Sequence, residues 1–280
     1  MPMTTDKRRA FRELHRTGCF VVPNPWDVGS ARYLQHLGFK ALASTSSGFA
    51  WSRACPDRTV TVDMVLAHLR DLCAASDLPV NADFEQGYAH DVGEMAENVR
   101  RCVDTGVAGL SIEDASGDTD DPIYPIDEAV TRIRAARAAI DRAGGEVLLT
   151  GRAEGFLFGR PDLDDIIRRL RAYAQAGADC LYAPGIRTRE QITAVVEAVA
   201  PKPVNLLVGG VTDLTVSDIA ALGVRRISVG GGLARSAWGG FMRAAQQIAS
   251  EGTFAAFAQA ASGAELNELF GADLARRGRP

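Results

Sequence analysis

The sequence predicts an α/β fold, a closed (β/α)8 TIM barrel, from three observations: eight short apolar runs, helical segments between them, and a length of 280 residues. The apolar runs have the length of strands and are rich in Val, Ile or Leu. They span residues 19–22, 39–43, 78–82, 108–112, 147–150, 179–183, 203–208 and 226–229. Segments with helical periodicity lie between them, at residues 62–75, 92–104, 126–143, 163–176, 189–199 and 235–248. Apolar strands that alternate with helices indicate a parallel sheet covered on both faces, and eight such units favour a barrel over an open sheet.

Glycines mark the boundaries of these elements. Gly38, Gly106, Gly177 and Gly223 each lie between a helical segment and the next strand. Helices often end there in the left-handed conformation, which a side chain makes costly. We therefore expect positive φ angles at all four positions.

The chain divides into a catalytic barrel, residues 1–249, and a C-terminal helical extension, residues 250–280. The extension carries large apolar residues at helical spacings, at Phe254, Phe257, Leu266, Leu269 and Phe270. A terminal helix would not leave this much apolar surface in water. We expect the extension to pack on another subunit, and the alternative is a helix folded over the bottom of its own barrel.

Composition indicates an ordinary soluble protein. Hydrophobic residues make up 46% of the chain and charged residues 24%, with a net charge of -4 and a pI near 5.6. This balance does not predict a nucleic-acid partner. No apolar run approaches the length of a membrane span, and the N-terminal residues are charged rather than apolar, so we expect a cytoplasmic protein with no membrane partner. Five cysteines without CxxC spacing indicate neither a disulfide framework nor a cysteine metal site.

The loops that follow the strands of a barrel meet at one mouth, where such enzymes place their chemistry. After the second strand come Ser44, Thr45, Ser46, Ser47 and a glycine. The backbone N–H groups of such a run can receive a carboxylate. The alternative is a polar turn.

Two acidic pairs follow neighbouring strands. Asp83 and Glu85 are two residues apart, so their carboxylates lie on the same side of an extended segment. Glu113 and Asp114 follow the next strand. Carboxylates that point the same way repel one another unless a cation lies between them, and Mg2+ prefers such oxygen ligands. We therefore expect a Mg2+ site, with Mn2+ as a substitute; the alternatives are a helix N-terminal acid and salt bridges.

An arginine follows the fifth strand. Arg152 at this position would direct its planar set of donors at a carboxylate or phosphate. It could equally pair with Glu154 or Glu85.

These loops resemble the isocitrate lyase and phosphoenolpyruvate mutase superfamily over nearly the whole chain. The matching stretches are residues 23–27 (PNPWD), 38–41 (GFKA), 83–88 (DFEQGY), 109–114 (GLSIED) and 152–156 (RAEGF). The resemblance implies Mg2+ beside a 2-oxo or similar carboxylic acid, and subunits that exchange a C-terminal helix in a dimer or a dimer of dimers. It implies that the metal shell includes Asp83, Glu85 and Glu113, several of them acting through bound water.

The resemblance also implies roles for residues around the metal. Arg152 would bind the substrate carboxylate, and the amides around Thr45, Ser46 and Ser47 would hold a second one. Asp57 matches an acid that fixes the metal water or a nearby side chain. Glu85 stands where the superfamily more often has aspartate.

The loop after Asp114 departs from the superfamily. The lyases have Lys-Lys-Cys-Gly-His there and the mutases have a catalytic lysine, whereas residues 115–124 (ASGDTDDPIY) contain no Lys, Cys or His. Isocitrate-type cleavage needs an acid at this place, and phosphoryl migration needs cationic support. We therefore expect a Mg2+-dependent carbon–carbon lyase of small 2-oxo or 2-hydroxy dicarboxylates that acts through a metal-bound enolate, preferably by decarboxylating an oxaloacetate-like acid. Tyr124, His90 or a metal-bound water would supply the closing proton.

Two alternatives stay open at this point. Gly209 and Gly210 follow the seventh strand and three further glycines follow the eighth, where many barrels bind phosphate. This pattern favours a phosphonate or phosphoenolpyruvate-type mutase or hydrolase. The second alternative is a barrel that binds a 2-oxo acid without turnover.

Overall fold

The computed structural model describes residues 2–278 and contains a barrel of eight parallel strands. The strands are β1 Phe20–Val22, β2 Leu42–Ala43, β3 Val80–Asp83, β4 Gly109–Glu113, β5 Leu148–Arg152, β6 Cys180–Tyr182, β7 Val204–Leu207 and β8 Arg226–Ser228. The helices are α1 Thr4–Leu14, α2 Val28–His36, α3 Ser46–Ser52, α4 Val62–Ala75, α5 Val92–Val103, α6 Ile126–Arg142, α7 Leu163–Gln175, α8 Arg189–Val199, α9 Val216–Ala221, α10 Gly232–Glu251 and α11 Gly263–Arg276. Short 3₁₀ turns lie at Gly155–Phe158 and Ala255–Gln259.

Strand pairing follows chain order. Each strand from β2 to β8 pairs in parallel with its neighbour in sequence, and β8 also pairs with β1. Between β1 and β2 the Ala43 N–H donates a hydrogen bond of 3.1 Å to the Pro23 carbonyl. The barrel is therefore nearly closed, which confirms the predicted TIM-barrel fold.

Most element boundaries agree with the sequence pattern. The structure has α4 and α8 at the bounds that periodicity predicted. The four boundary glycines have φ angles of 85°, 96°, 107° and 87°, as expected for left-handed helix ends. The pattern did not reveal α1, α2, α3 and α9. Of these, α3 has 7 residues and α9 has 6, which is too short to show a helical period.

Helix α1 closes the bottom of the barrel. Its Phe11 side chain is fully buried and meets the ring of His15 edge to face, with 4.7 Å between ring centroids. Phe20 from β1 packs on both rings. The barrel floor is thereby sealed from solvent at this end.

The C-terminal segment lies largely in water in the single chain. Helix α10 continues two residues past the expected boundary at 249, and Ala234 is its one buried residue. Helix α11 packs against α2, where Asp273 forms an ion pair with the buried Arg32. Residues 279 and 280 of the expected extension lie outside the described residues. Exchange of this segment between subunits involves a second chain and stays a prediction.

Within residues 2–278, no helix is both long enough and apolar enough to cross a bilayer.

Candidate active site

A cavity of about 200 Å³ lies at the mouth formed by the C-terminal ends of the strands. Its wall consists of polar side chains from nearly every strand end, with a few apolar ones. The residues from the predicted site that line it are Ser44, Thr45, Ser46, Ser47, Asp57, Asp83 and Arg152. The structure thus brings most of the predicted binding residues to one place.

The loop after β2 binds a carboxylate, but one that belongs to the protein. The backbone N–H and the hydroxyl of Ser46 both donate to Asp83 Oδ2, at 3.0 and 2.9 Å. In return the Asp83 N–H donates to the Ser44 hydroxyl at 2.9 Å. Thr45 caps α3 by accepting from the Gly48 N–H. The β2 loop therefore positions Asp83 from both sides.

Arg152 is surrounded by acids rather than left free. Its Nη1 lies 3.1 Å from Asp83 Oδ1 and 3.2 Å from Glu113 Oε2. Its Nε and Nη2 both donate to the Glu154 carboxylate. Its guanidinium also stacks 5.1 Å above the Tyr182 ring. The pairing with Glu154 that the sequence left open is thus present, and the pairing with Glu85 is not.

A second arginine, Arg58, pairs with the same acidic residues. Arg58 Nη2 donates to Glu113 Oε1 at 2.8 Å and lies 3.6 Å from Glu154 Oε2. Asp57, beside it in the chain, lines the cavity. Loss of hydration and the neighbouring charge of Asp83 raise the pKa of the Asp57 carboxyl. Sequence reasoning missed Arg58, because a lone arginine in a loop carries no distinctive pattern.

Glu85 lies behind the cavity in a strained conformation. Its φ of 44° is in the left-handed region, where a residue with a side chain costs free energy. The carboxyl is buried and its Oε1 has no hydrogen-bond partner. Burial, with the charges of Glu113 and Asp83, raises the pKa of Glu85 to about 8. An unpartnered buried oxygen beside two other carboxylates is suited to a cation.

Asp114 points away from the mouth, although the sequence pattern grouped it with the acidic pairs. Its Oδ2 accepts from the Tyr173 hydroxyl at 2.6 Å and from Arg169 at 3.2 Å. Its Oδ1 accepts from the Glu154 N–H at 2.8 Å. Asp114 therefore anchors the backbone that carries Glu154, and its carboxylate is directed away from the other acids of the mouth.

The structure does not bring Tyr124 to the cavity. The Tyr124 hydroxyl lies 3.2 Å from His90 Nδ1, and its ring lies under the Arg132 guanidinium. Neither Tyr124 nor His90 lines the mouth. The prediction that one of them delivers a proton to the substrate is therefore not supported by the geometry.

Gly209 and Gly210 line an adjoining cavity instead of the central one. This second cavity, of about 550 Å³, lies at the ends of β6, β7 and β8. Arg187 and Arg235 also line it, and the Arg235 guanidinium donates to the Gly209 carbonyl. The two cavities share Ser47, Asp57, Leu157, Leu207, Gly230 and Gly231. Gly209 and Gly210 are thus within the mouth but not beside Asp83.

Four cavity residues on the last three strands escaped the sequence reasoning. They are Tyr182, Asn205, Arg226 and Ser228. Burial raises the pKa of Tyr182 to about 12, so its hydroxyl stays protonated. The Asn205 amide donates to the Ser228 hydroxyl at 2.9 Å. The sequence signal that could have found them is a polar residue within a predicted strand whose other residues are mostly apolar.

The acidic cluster has features of a metal site. Within the described residues, no three His, Cys, Asp or Glu side chains converge closely enough to hold an ion by themselves. The donor set nevertheless fits a hard divalent cation that binds partly through water, because Asp83 faces the cavity and Glu85 has an unpartnered oxygen. Residues Asp83, Glu85 and Glu113 would then hold the ion, with water between it and the buried pair.

Comparisons with known proteins show the family of the chain. Residues 11–249 match the family model of phosphoenolpyruvate phosphomutase. The chain belongs to that family. An oxaloacetate decarboxylase of Paraburkholderia xenovorans (strain LB400) is 32% identical over 233 residues, covering 80% of this chain and 75% of that protein.

Solved structures show the same fold. A protein of Burkholderia cenocepacia J2315, described as a candidate lyase/mutase, is 47% identical with a TM-score of 0.93, and the match covers 96% of this chain and 98% of that one. A phosphonopyruvate hydrolase in complex with oxalate and Mg++ is 26% identical with a TM-score of 0.84, covering 97% of both chains. These matches confirm the predicted membership of the isocitrate lyase/phosphoenolpyruvate mutase superfamily, and the oxaloacetate decarboxylase relatives indicate the predicted enzyme class, a carbon–carbon lyase.

Proposed function

We propose that this phosphoenolpyruvate phosphomutase family member is a Mg2+-dependent lyase that decarboxylates an oxaloacetate-like 2-oxo dicarboxylate. The observation that carries the proposal is the small cavity, about 200 Å³, in which Asp83 and the β2 loop face Arg152. A cavity of this size suits a four-carbon acid. The oxaloacetate decarboxylase relative supports the same class of substrate.

The loop after β4 supports decarboxylation over cleavage or phosphoryl transfer. Ala115 and Ile123 pair as an isolated bridge, and the acidic tip between them is tied by an ion pair of 3.0 Å between Asp121 and Arg160. No lysine, cysteine or histidine extends from this loop toward the cavity. Decarboxylation asks for no acid in the bond-breaking step, because CO2 leaves while the electron pair moves into the 2-oxo group.

The chain's own residues supply binding and a proton. A bound divalent cation would contribute Lewis acidity toward the 2-oxo group. Ser46 holds Asp83 through its N–H and its hydroxyl. Ser44, Thr45 and Ser47 also line the cavity, where a substrate carboxylate would lie against them. After C3–C4 cleavage, C3 takes a proton from Tyr182 or from water in the cavity, and the product is the 2-oxo acid shortened by one carbon. Tyr182 replaces Tyr124 in this role because it lines the cavity and stays protonated.

The test is turnover of oxaloacetate with Mg2+, followed by NMR as pyruvate appears. Oxaloacetate loses CO2 unaided, so the rate is taken above a blank without enzyme. We expect Asp83→Asn to reduce this rate by about 10²-fold or more, as the loss of an electrostatic contact in an active site does. Asp118→Asn, in the exposed acidic loop, is the matched control and should retain the wild-type rate. A wild-type rate equal to the blank would refute the proposal.

Phosphonate chemistry is the second candidate. The family match and the arginine-lined cavity at Gly209 and Gly210 favour it. The acidic loop opposes it, because like charges repel a phosphoryl group. Phosphorus NMR of the protein incubated with phosphonopyruvate and Mg2+ separates the two: phosphate or phosphoenolpyruvate appears if the second candidate holds.

We also propose that the protein forms a homo-oligomer through its C-terminal segment. Helix α10 exposes large apolar side chains, with Phe241 at 62% and Met242 at 59% exposure. Phe254 and Phe257 beyond it are similarly exposed. A surface of this kind is typical of a subunit interface.

A further inference from the structure

The floor of the central cavity contains a buried cation without an acidic partner. Arg226 on β8 is 3% exposed and lines the cavity from below. Within the described residues, no aspartate or glutamate lies within ion-pair distance of its guanidinium, whereas Arg152 has three. A buried charge normally costs free energy unless it is paired.

Neutral groups hold the Arg226 guanidinium in place. Its Nε donates to Asn205 Oδ1 at 2.8 Å and its Nη2 to the Thr150 hydroxyl at 3.0 Å. Its Nη1 lies 3.4 Å from both Asn81 Oδ1 and His15 Nε2. A guanidinium has five N–H groups. These four acceptors therefore leave one Nη2 N–H without a protein partner.

His15 contributes no compensating charge. Its Nδ1 lies 2.7 Å from the Phe11 carbonyl, so Nδ1 carries the hydrogen and Nε2 is the acceptor that faces Arg226. Burial and the adjacent Arg226 lower the pKa of His15 to about 3. The imidazole is therefore neutral, and the positive charge at the floor belongs to Arg226 alone.

A polar floor of this kind is unusual for a barrel, whose interior is mostly filled with branched apolar side chains. We propose that Arg226 is a substrate-binding residue: its unpaired charge selects ligands that carry a second negative charge and stabilises the negative charge that develops on a 2-oxo acid during reaction. The inference rests on the proposed function for the ligand class, a small 2-oxo acid. It assigns charge selection to Arg226 and not to Arg152, whose charge the protein's own acids already neutralise.

Oxalate and pyruvate are suitable probes because they are planar and similar in size. They differ by one negative charge, since oxalate has a carboxylate oxygen where pyruvate has its methyl group. Isothermal titration calorimetry with each ligand, in buffer containing Mg2+, measures the ratio of the two affinities. Binding of oxalate by Mg2+ in solution is the same for every variant, so the change in ratio between variants isolates the protein's contribution.

The variants are Arg226→Gln, which keeps the hydrogen-bonding side chain without the charge, and Arg226→Lys, which keeps the charge. Arg225→Gln is the matched control, since Arg225 is the adjacent arginine and lines neither cavity. We expect Arg226→Gln to weaken oxalate binding by about tenfold or more and pyruvate binding by less than about threefold, as one lost charge in a partly dry site would do. Arg226→Lys should keep most of the oxalate preference, and Arg225→Gln should keep all of it.

Each outcome decides the inference. An unchanged affinity ratio in folded Arg226→Gln, or a wild type that binds neither probe, overturns it. If thermal unfolding shows that Arg226→Gln does not fold, a Lys variant without oxalate preference overturns it and one with the preference supports it. Turnover is measured on the same samples: charge selection without turnover refutes the decarboxylase alone, and turnover without charge selection refutes the Arg226 inference alone.

Discussion

The two sides of the central cavity differ in how their charged side chains are neutralised. At the ends of β3, β4 and β5, carboxylates surround Arg152 and Arg58 in close ion pairs. On the opposite side, the buried Arg226 of β8 donates to the amide oxygen of Asn205 on β7 and to the hydroxyl of Thr150 on β5. The arginines of the first side are neutralised by the protein's own acids, whereas the charge of Arg226 is neutralised when an anion enters the cavity.

This difference assigns different tasks to two arginines that look alike in sequence. Arg152 holds Asp83, Glu113 and Glu154 in place, so it determines the geometry of the acidic cluster. Arg226 has no acid to position. Its charge is available to a ligand, and the substitution of each arginine should therefore have a different consequence.

The largest expected effect follows from Arg152→Gln. The buried carboxylates of Glu113 and Glu154, and the partly buried one of Asp83, would lose the cation that they share. Breaking a buried ion pair on one side costs about 3–5 kcal/mol. We expect the free energy of unfolding to fall by an amount of this order and turnover to fall by about 10²-fold or more. Urea unfolding followed by circular dichroism measures the first, and the pyruvate assay measures the second.

Arg160→Gln is the control for that experiment. Arg160 also pairs with an acid, Asp121, but both side chains are about half exposed or more. An exposed pair contributes about 0–1 kcal/mol, so this variant should unfold almost like the wild type. Equal losses of stability in the two variants would show that Arg152 is not the organising charge of the cluster.

The sequence predicted the acids around Arg152 better than the residues around Arg226, for a physical reason. Asp83, Glu85 and Glu113 occur where apolar strands end, so position alone marks them as mouth residues. Asn205 and Arg226 occur inside or at the start of strands that are buried on both faces. Periodicity cannot tell which of those faces lines the barrel interior, and so it does not show that these residues meet.

The orientation of single side chains was also beyond the sequence. Glu113 and Asp114 are adjacent, yet Glu113 faces the Arg152 cluster and Asp114 faces Tyr173. Successive residues of a strand point in opposite directions, so one acid of the pair had to turn outward. The sequence also did not show where the Tyr124 side chain points. Its loop folds back and pairs with itself through Ala115 and Ile123, and the Tyr124 hydroxyl contacts His90.

His15, which lies beside Arg226, leads to a prediction about the pH dependence of stability. His15 has a folded-state pKa of about 3, below its ordinary value of 6.5. Between these values the unfolded chain takes up a proton that the folded chain refuses, so stability falls as the pH is lowered from about 6.5 toward 3. The slope from one such group is about 1.4 kcal/mol per pH unit. His68, whose pKa burial lowers to about 4, adds to the same trend.

Urea unfolding at a series of pH values checks this expectation. His15→Gln should flatten the acid slope, because the variant has no imidazole to protonate in the unfolded chain. His36→Gln replaces an exposed histidine and is the control. If His15→Gln and the wild type lose stability in parallel on acidification, then His15 is not held neutral beneath Arg226.

The smallest effect is expected at Gly210, and it tests how far the reaction site extends into the adjoining cavity. A Cβ added at Gly210 would meet no heavy atom within 4 Å, and the residue has no positive φ that would strain alanine. Gly210 lines the cavity with Arg187 and Arg235 but not the one that contains Asp83. If the reaction is confined to the central cavity, Gly210→Ala should change kcat/KM for oxaloacetate by no more than about twofold, the range of a neutral surface substitution.

Gly271→Ala on α11, where a Cβ also meets nothing within 4 Å, provides the baseline. A phosphoryl group bound by backbone N–H groups at Gly210 would instead be crowded by the new methyl group, so a KM that rises several-fold in Gly210→Ala alone would extend the substrate into the second cavity and favour the phosphonate reaction.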